Sequence, residues 1–120
     1  MPQINLVEKR ARLSRWDAVK FQLITHCYLK KVTLSDSEID CVTLLAIKGE
    51  QEIQNFCEAA YNEKVFKSIQ TVRNCLSKME KIDFIKKEGK NKKKIWVNPD
   101  LKLTAQGNIL LDIKFAHIES

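Results

Sequence analysis

The stretch FKSIQTVRNCLSKMEKIDFIKKEGKNKKKIWVN, residues Phe66 to Asn98, decides the fold. Ser68 is a favourable N-cap, and the apolar residues behind it recur at three- and four-residue steps, which predicts an amphipathic helix. This helix is expected to end at Ile82 and Asp83, because the next residues have β-type character. Turn residues and lysines then separate two short strands, so the stretch predicts a helix followed by a hairpin with a basic tip. The apolar stripe of the helix comprises Ile69, Val72, Leu76 and Met79.

Two further helices are predicted before this stretch. Ser35 and Glu38 have the spacing of a capping box, in which each side chain accepts a hydrogen bond from the backbone N–H of the other, and this predicts a helix start. Gly49 stands where a left-handed C-terminal cap is expected. A second helix, about Glu50 to Tyr61, has apolar residues at helical spacing. The predicted order of helix, helix, turn, helix and hairpin is that of a winged helix-turn-helix.

The segments that flank this core alternate between apolar and polar residues. Alternation favours a strand over residues 18–29, with a poorly amphipathic helix as the alternative, and a second strand over 108–119. Because a two-stranded ribbon is marginal alone, we expect these strands to pair within and between subunits. Residues 1–17 would form a basic arm, 18–98 a single winged-helix domain with its preceding strand, and 99–120 a linker and C-terminal strand. The predicted fold class is α+β, a winged helix-turn-helix core of three helices plus a β-hairpin wing with additional N- and C-terminal strands.

Composition limits the possible functions. The 120 residues carry a formal net charge of +6, which favours an anionic partner, nucleic acid before membrane. The four cysteines form no CxxC pair, so buried reduced thiols in a reducing compartment are expected. No uncharged run approaches the length of a membrane span. His26 and His117 have no recognisable catalytic partner, and no glycine-rich phosphate loop is present, so we expect no enzyme, no cofactor and no small-molecule substrate.

The predicted helix and hairpin offer residue types that bind duplex DNA. In a helix-turn-helix reader, the N-terminal part of the recognition helix contacts base edges, and basic residues around it contact phosphates. Gln70 and Asn74 are residue types that pair with adenine, and Arg73 is the type that pairs with guanine. The competing interpretation is a solvated helix face with lysines that keep a hairpin edge from aggregating. The candidate contacts to nucleic acid or to an acidic partner are Lys67, Ser68, Gln70, Thr71, Arg73, Asn74, Lys86, Lys87, Lys90, Lys92, Lys93 and Lys94.

An uneven distribution of charge suggests a second use. Acidic residues dominate the first two predicted helices, whereas the hairpin is rich in lysine. A chain with one acidic and one basic end can associate head to tail, and such an interface closes into a ring when the rotation allows. Alternatively, acidic residues complement the helix dipole, which accounts only for Asp36 and Glu38. The candidate oligomer interface comprises Phe21, Leu23, Tyr28, Glu50, Glu52, Glu58, Ile109, Leu111, Ile113 and Phe115.

Two resemblances add to these interpretations. The stretch SIQTVRNCLSKMEKIDFIKK is similar to the recognition helix and first wing strand of winged-helix DNA-binding proteins, which have a Ser/Thr-rich helix start and a Val-x-x-x-Leu-x-x-Met/Leu core. It departs from them at Asp83, where such proteins usually have glycine; aspartate tolerates positive φ acceptably.

The whole chain, and especially LSDSEIDCVTLLAIKG, TVRNCLSKMEKIDFIKKEGKNKKKIWVNPDLK and TAQGNILLDIKF, also resembles small proteins of crAss-like bacteriophages. This resemblance implies a virion component, a ring of many copies in the neck or tail. Its partners would be further copies of itself, the portal or other neck and tail proteins, and packaged double-stranded DNA. The protein would assemble in the cytoplasm of the bacterial host and reside in the virion.

Two hypotheses follow. The first is a ring-forming head-to-tail connector of a tailed phage, built on a winged-helix module. The second is a sequence-specific winged-helix transcriptional regulator of the cytoplasm. Replacing Arg73 or Asn74 should change sequence preference only if the second hypothesis holds.

Overall fold

The structure, a computed structural model, describes residues 3–89, 93–105 and 110–119. Its four α-helices and five strands confirm the α+β class. The helices are α1 Arg15–Lys30, α2 Asp36–Lys48, α3 Ile53–Asn62 and α4 Ile69–Lys81. The strands are β1 Gln3–Arg12, β2 Gln51–Glu52, β3 Ile85–Glu88, β4 Lys94–Val97 and β5 Leu110–Glu119. A short 3-10 helix, Pro99–Leu101, follows β4.

The winged helix-turn-helix core is formed by α2, α3, α4 and a small antiparallel sheet of strand order β2-β4-β3. The hairpin of β3 and β4 is the wing, and β2 adds Gln51 and Glu52 to its other edge, opposite Ile95 and Lys94. The start of the second predicted helix was therefore wrong. Residues 51–52 are extended because they pair with β4, and α3 begins only at Ile53.

Local signals set the helix ends of this core. Ser35 Oγ accepts from the backbone N–H of Glu38 at 3.2 Å, and Glu38 Oε1 accepts from the Ser35 N–H at 2.8 Å, which confirms the capping box. Ser68 Oγ accepts from the Thr71 N–H at 3.1 Å and confirms the start of α4. Gly49 ends α2 with φ of 79° and ψ of −161°, so φ is positive as predicted but the conformation is not the left-handed helical one.

The strand predicted over residues 18–29 was wrong, because these residues lie in α1. Val19, Leu23 and Cys27 recur at four-residue steps and are buried on one side of this helix. Exposed apolar residues on the rest of α1, such as Phe21 and Leu29, produced the apparent alternation. The periodicity of the buried face, rather than that of all apolar residues, identifies the helix.

The hydrophobic core joins α1 to the winged helix-turn-helix. It is formed by fully buried side chains from all four helices and from the wing strands, with Phe56 as the largest. Gln22 on α1 also exchanges two hydrogen bonds with the backbone of Thr104, 82 residues away, at 2.9 and 3.0 Å. The segment leading to β5 is thereby attached to α1.

A C-terminal strand was predicted over residues 108–119, and β5 forms over Leu110–Glu119. Its partner is β1, not residues 18–29. The predicted N-terminal arm therefore contains a strand of ten residues. The two strands pair antiparallel over their full lengths, from Gln3 opposite Glu119 to Arg12 opposite Leu110. The sheet contains no further strand within the described part of the chain.

Candidate nucleic-acid interface

The helix α4 has one buried and one exposed side. Val72, Leu76 and Met79 are fully buried, as the apolar stripe predicted, and Cys75 joins them in the core. Ile69, the first member of the predicted stripe, is 38% exposed because it lies in the first turn, beyond the edge of the core. Packing on the buried side fixes the rotation of α4, so the residues between these positions face solvent.

The exposed side of α4 carries the amide and guanidinium groups predicted to contact bases. Gln70 and Asn74 are exposed, and Gln70 Nε2 donates a hydrogen bond to Asn74 Oδ1 at 3.0 Å. This bond leaves the carbonyl oxygen and the second amide N–H of Gln70 available, together with the amide group of Asn74. An amide with one acceptor and one donor available can form the paired hydrogen bonds that adenine offers in the major groove.

Arg73 lies between these two amides in sequence and is half-buried. Burial raises the pKa of the Cys57 thiol, and the positive charge of Arg73 counteracts part of this effect. Among the described residues, no carboxylate forms an ion pair with Arg73. The guanidinium of Arg73 is therefore not neutralised by a described carboxylate and can pair with guanine.

The hydroxyl groups at the start of α4 have a structural task. Ser68 Oγ caps the helix and lies 2.8 Å from Thr71 Oγ1. Lys67 and Thr71 border an open cleft of about 880 Å³ that reaches Ser37 at the start of α2 and Tyr61 at the end of α3. Lys67 is exposed and directly precedes Ser68, the N-cap of α4.

Some lysines of the wing form ion pairs within the chain. Lys86 Nζ lies 2.6 Å from Asp83 Oδ1. The hydrogen bond that Lys86 donates to this carboxylate raises the pKa of the lysine. Lys87 Nζ lies 3.7 Å from Glu80 Oε2. Both lysines are half-buried. The carboxylates of Asp83 and Glu80 partly neutralise their positive charge.

Lys93 lies at the tip of the wing, and Lys94 begins β4 opposite Glu52 and Glu88. Lys93 and Lys94 are exposed, and neither forms an ion pair with any other described residue. Lys90 and Lys92, which were also predicted as contacts, lie outside the described residues. A tip of this kind provides charge that phosphates can reach without first breaking an internal ion pair.

The base of the wing is fixed by a residue that sequence reasoning did not single out for this purpose. Asn98 is 5% exposed, and its Nδ2 donates to the backbone carbonyl of Asp83 at 2.7 Å. Its backbone N–H donates to Phe84 O at 2.9 Å, and its Oδ1 accepts from the Asp100 N–H at 3.0 Å. Asp83 has φ of 67°, the left-handed conformation anticipated for this position. The available signal was an Asn-Pro pair directly after an apolar strand.

The candidate oligomer interface is divided by the structure. Leu23 is fully buried in the core of its own chain, so it offers no surface to another subunit. Phe21 is 40% and Tyr28 83% exposed. Glu50 and Glu58 are exposed and Glu52 is half-buried. Ile109 lies outside the described residues, and the remaining members, Leu111, Ile113 and Phe115, occupy alternate positions of β5.

Part of the acidic character of α2 is neutralised within the chain. Glu38 Oε2 lies 2.8 Å from Lys78 Nζ of α4, and Asp40 Oδ1 lies 3.1 Å from Lys20 Nζ of α1. Burial alone would raise the pKa of Glu38, but hydrogen bonds from Lys78 and Ser35 outweigh it and lower the pKa. The acidic surface available to a partner is therefore smaller than the sequence indicated.

The two histidines lie on different elements of the fold. His26 lies on α1, not on a strand, and its ring packs edge-on against Phe84 with centroids 5.6 Å apart. His117 lies opposite Asn5 in the β1–β5 pairing. No group of three or more histidine, cysteine or acidic residues within residues 3–89, 93–105 and 110–119 could hold a metal ion. No helix in the same ranges is long and apolar enough to cross a membrane.

The arrangement of helices and wing defines a winged-helix protein. The fold is similar to that of the ferric uptake regulator Fur of Helicobacter pylori, with a TM-score of 0.50 and 13% sequence identity over 86% of this chain and 73% of that chain. That structure revealed three functional metal binding sites in Fur. No protein-family model matches this chain, and no curated protein matches it either.

Proposed function

We propose that this chain is a winged-helix regulator that binds duplex DNA in a sequence-specific manner. The observation that carries the proposal is the face of α4 that carries Gln70, Arg73 and Asn74 at the helical spacing i, i+3, i+4, with the two amides exposed and Arg73 half-buried. Their rotation is fixed by the buried residues of the same helix. A helix held in this way can enter the major groove with its N-terminal half toward the bases.

The electrostatics support the same proposal. Lys67 at the start of α4 and Lys93 and Lys94 of the wing are exposed and have no ion-pair partner among the described residues. Basic residues on either side of a reading helix contact phosphates and set its register on the duplex. Arg73 is then expected to supply sequence discrimination, and the lysines a binding strength that is independent of sequence.

The proposal is tested by fluorescence anisotropy with a short labelled duplex selected from a random pool. Arg73→Ala should weaken binding by about 1–3 kcal/mol on the selected duplex and little on a scrambled one. Lys93→Ala/Lys94→Ala should weaken binding to both duplexes and reduce the dependence of log K on log salt by about 0.9 for each phosphate that the variant no longer neutralises.

A matched control removes two exposed lysines from other helices, in Lys30→Ala/Lys48→Ala. This variant has the same net charge as the wing variant and should bind more tightly than it does. Equal binding by the two lysine variants, together with no effect of Arg73→Ala, would refute the proposal.

We also propose a second candidate, the ring-forming virion component that the phage resemblance implies. The observation that favours it is the β1–β5 ribbon, which has no further strand on either outer edge within the described residues. In a ring, β1 of one copy would pair with β5 of the next, a heterologous contact that occupies the outer edge of β5 and so excludes a dimer through that edge. Electron microscopy of the purified protein, alone and with portal and neck proteins, tests it. Closed rings would support this candidate, and a particle of one or two copies under both conditions would contradict it.

A further inference from the structure

The β1–β5 ribbon is not covered by another strand within the described part of the chain. Ten residues of strand extend over about 33 Å. The molecule measures 63 × 28 × 25 Å, and its radius of gyration is 17.0 Å, whereas a compact chain of this length would have about 14 Å. A two-stranded ribbon in water is marginal and needs further strands or a packed face. Its open edges are therefore a place where another chain can add strands.

We propose that two copies of this chain pair through the outer edge of β5, antiparallel and centred on Ile113, to form one four-stranded sheet. A two-fold axis normal to a sheet keeps each residue on its original face. In an antiparallel pair, residues directly opposite each other lie on the same face of the sheet. The two-fold axis must therefore lie where one residue of β5 is opposite the same residue of the second copy, and it cannot lie between two successive residues. This requirement limits the possible registers of β5 to a few, and charge distinguishes among them.

The register centred on Ile113 places Asp112 of one copy opposite Lys114 of the other, twice. In the ribbon itself Glu8 lies opposite Lys114, and Arg10 lies opposite Asp112. The four-stranded sheet would therefore carry two rows of alternating charge, each running from Glu8 through Lys114 to Asp112 and Arg10 of the second copy. Opposite charges that face each other across strands are stabilising, and like charges are destabilising.

The neighbouring registers lack this property. Centring on Asp112 or on Lys114 places like charges opposite each other on the axis. The outer edge of β1 is also less suitable, since the one register that pairs Glu8 with Arg10 places Lys9 opposite Lys9 of the second copy.

The other set of alternate positions places apolar residues on either side of Ile113, whose own partner in the ribbon is Lys9. Val7 lies opposite Phe115, and Ala11 lies opposite Leu111. In the proposed register Phe115 of one copy lies opposite Leu111 of the other, with the two Ile113 residues between these pairs. The apolar positions of the two ribbons then become continuous across the interface, which adds hydrophobic contact to the backbone hydrogen bonds.

A cysteine cross-link tests the position of the axis. Ile113→Cys places two thiols directly opposite each other, within the Cα separation of about 4.4–6.8 Å that a disulfide needs. Mild oxidation should convert this variant into a covalent dimer. Phe115→Cys, on the same face two residues away, is the matched control and should remain uncoupled because its two copies would lie more than about 10 Å apart. The four native cysteines are buried, and wild-type protein measures their background.

Charge reversal tests the pairing without a cross-link. The first variant, Arg10→Glu/Asp112→Lys, and the second, Glu8→Lys/Lys114→Asp, both keep opposite charges within their own ribbon. In the proposed register, position 112 of one copy lies opposite position 114 of the other. A dimer of either variant alone would therefore have like charges at both contacts, whereas a dimer of one copy of each variant would have opposite charges at both. Sedimentation equilibrium should show self-association weakened at least about tenfold for each variant, and a one-to-one dimer for the mixture.

Circular dichroism establishes that the variants are folded, and the cross-link reports independently on the native sequence. A wild-type chain that stays monomeric at high concentration, cross-linking of Phe115→Cys in preference to Ile113→Cys, or a closed ring of more than two copies would each overturn the proposal. A dimer of each charge variant as tight as wild type would overturn it as well.

Discussion

Asn98, at the end of the wing, donates a hydrogen bond of 2.7 Å from its side-chain amide to the backbone carbonyl of Asp83, two residues beyond the end of helix α4. The two residues are fifteen positions apart and lie at the two ends of the wing. This contact, together with the backbone bond from Asn98 to Phe84, fixes where the wing leaves the helix. The position of the wing relative to α4 therefore depends on one buried amide.

Asn98→Ala should lower the free energy of unfolding by about 1–3 kcal/mol, because the part-buried carbonyl of Asp83 is left without its hydrogen-bond donor. Urea denaturation measures this decrease. Asn55→Ala, at an exposed position of α3, removes the same group without a buried partner and should stay within about 0.5 kcal/mol of wild type. If the two variants were equally stable, the amide of Asn98 would not hold the wing.

Lys31→Gly should stabilise the protein. Lys31 caps α1 with φ of 57°, a left-handed conformation that glycine adopts without the steric cost of a Cβ atom. We expect a gain of about 0.5–1 kcal/mol in thermal or urea denaturation, since this relief exceeds the extra flexibility of the unfolded chain. Lys30→Gly, one residue earlier and inside the helix, should destabilise the protein by about 0.5–1 kcal/mol. Destabilisation by both changes would contradict the left-handed cap.

Glu38→Gln should make the free energy of unfolding less dependent on pH in the acid range. The lowered pKa of Glu38 means that the unfolded chain binds the proton more readily, so stability rises with pH between the native pKa and the ordinary value of 4.5. This contribution is fully present above 4.5 and is lost as the pH falls through the native pKa. Lys78 is half exposed, so the effect should be about 0.2–1 kcal/mol.

Denaturation midpoints measured from neutral to acid pH test this effect. Glu63→Gln removes a carboxylate from an exposed position beyond α3 and controls for net charge. If Glu38→Gln left the acid dependence of stability unchanged, the interactions of Glu38 with Lys78 and Ser35 would not contribute to stability.

The four cysteines should react with a thiol reagent only after unfolding. All are buried, and for Cys41 the hydrogen bond with Cys75, followed by burial, raises the pKa, so little thiolate forms. Reaction rates should rise with denaturant in parallel with the unfolded fraction. Rapid labelling of native protein at any of the four positions would show that the core opens there.

The sequence predicts the winged helix-turn-helix well, because its signals are local. The capping box at Ser35, the N-cap at Ser68 and the buried stripe of α4 act within single turns of helix, and all are present in the structure. The start of α3 was missed because residues 51–52 form a strand only through pairing with β4.

The parts that could not be predicted depend on distant contacts. The partner of β5 is β1, at the opposite end of the chain, and the strands have no local turn that would fix their register. In α1, exposed apolar residues hid the helical period. For the candidate interface, residue types indicated which groups contact DNA, but ion pairs such as Lys86 with Asp83 became apparent only in three dimensions.

Duplex DNA is expected to contact α4 and the tip of the wing. Amide chemical-shift mapping by NMR, with a selected short duplex titrated into labelled protein, locates the contact surface. Shift changes should be concentrated at residues 67–74 and at Lys93 and Lys94, with the exposed surface of α1 unchanged. Shift changes confined to α1 or to the ribbon, with none in residues 67–74, would contradict it.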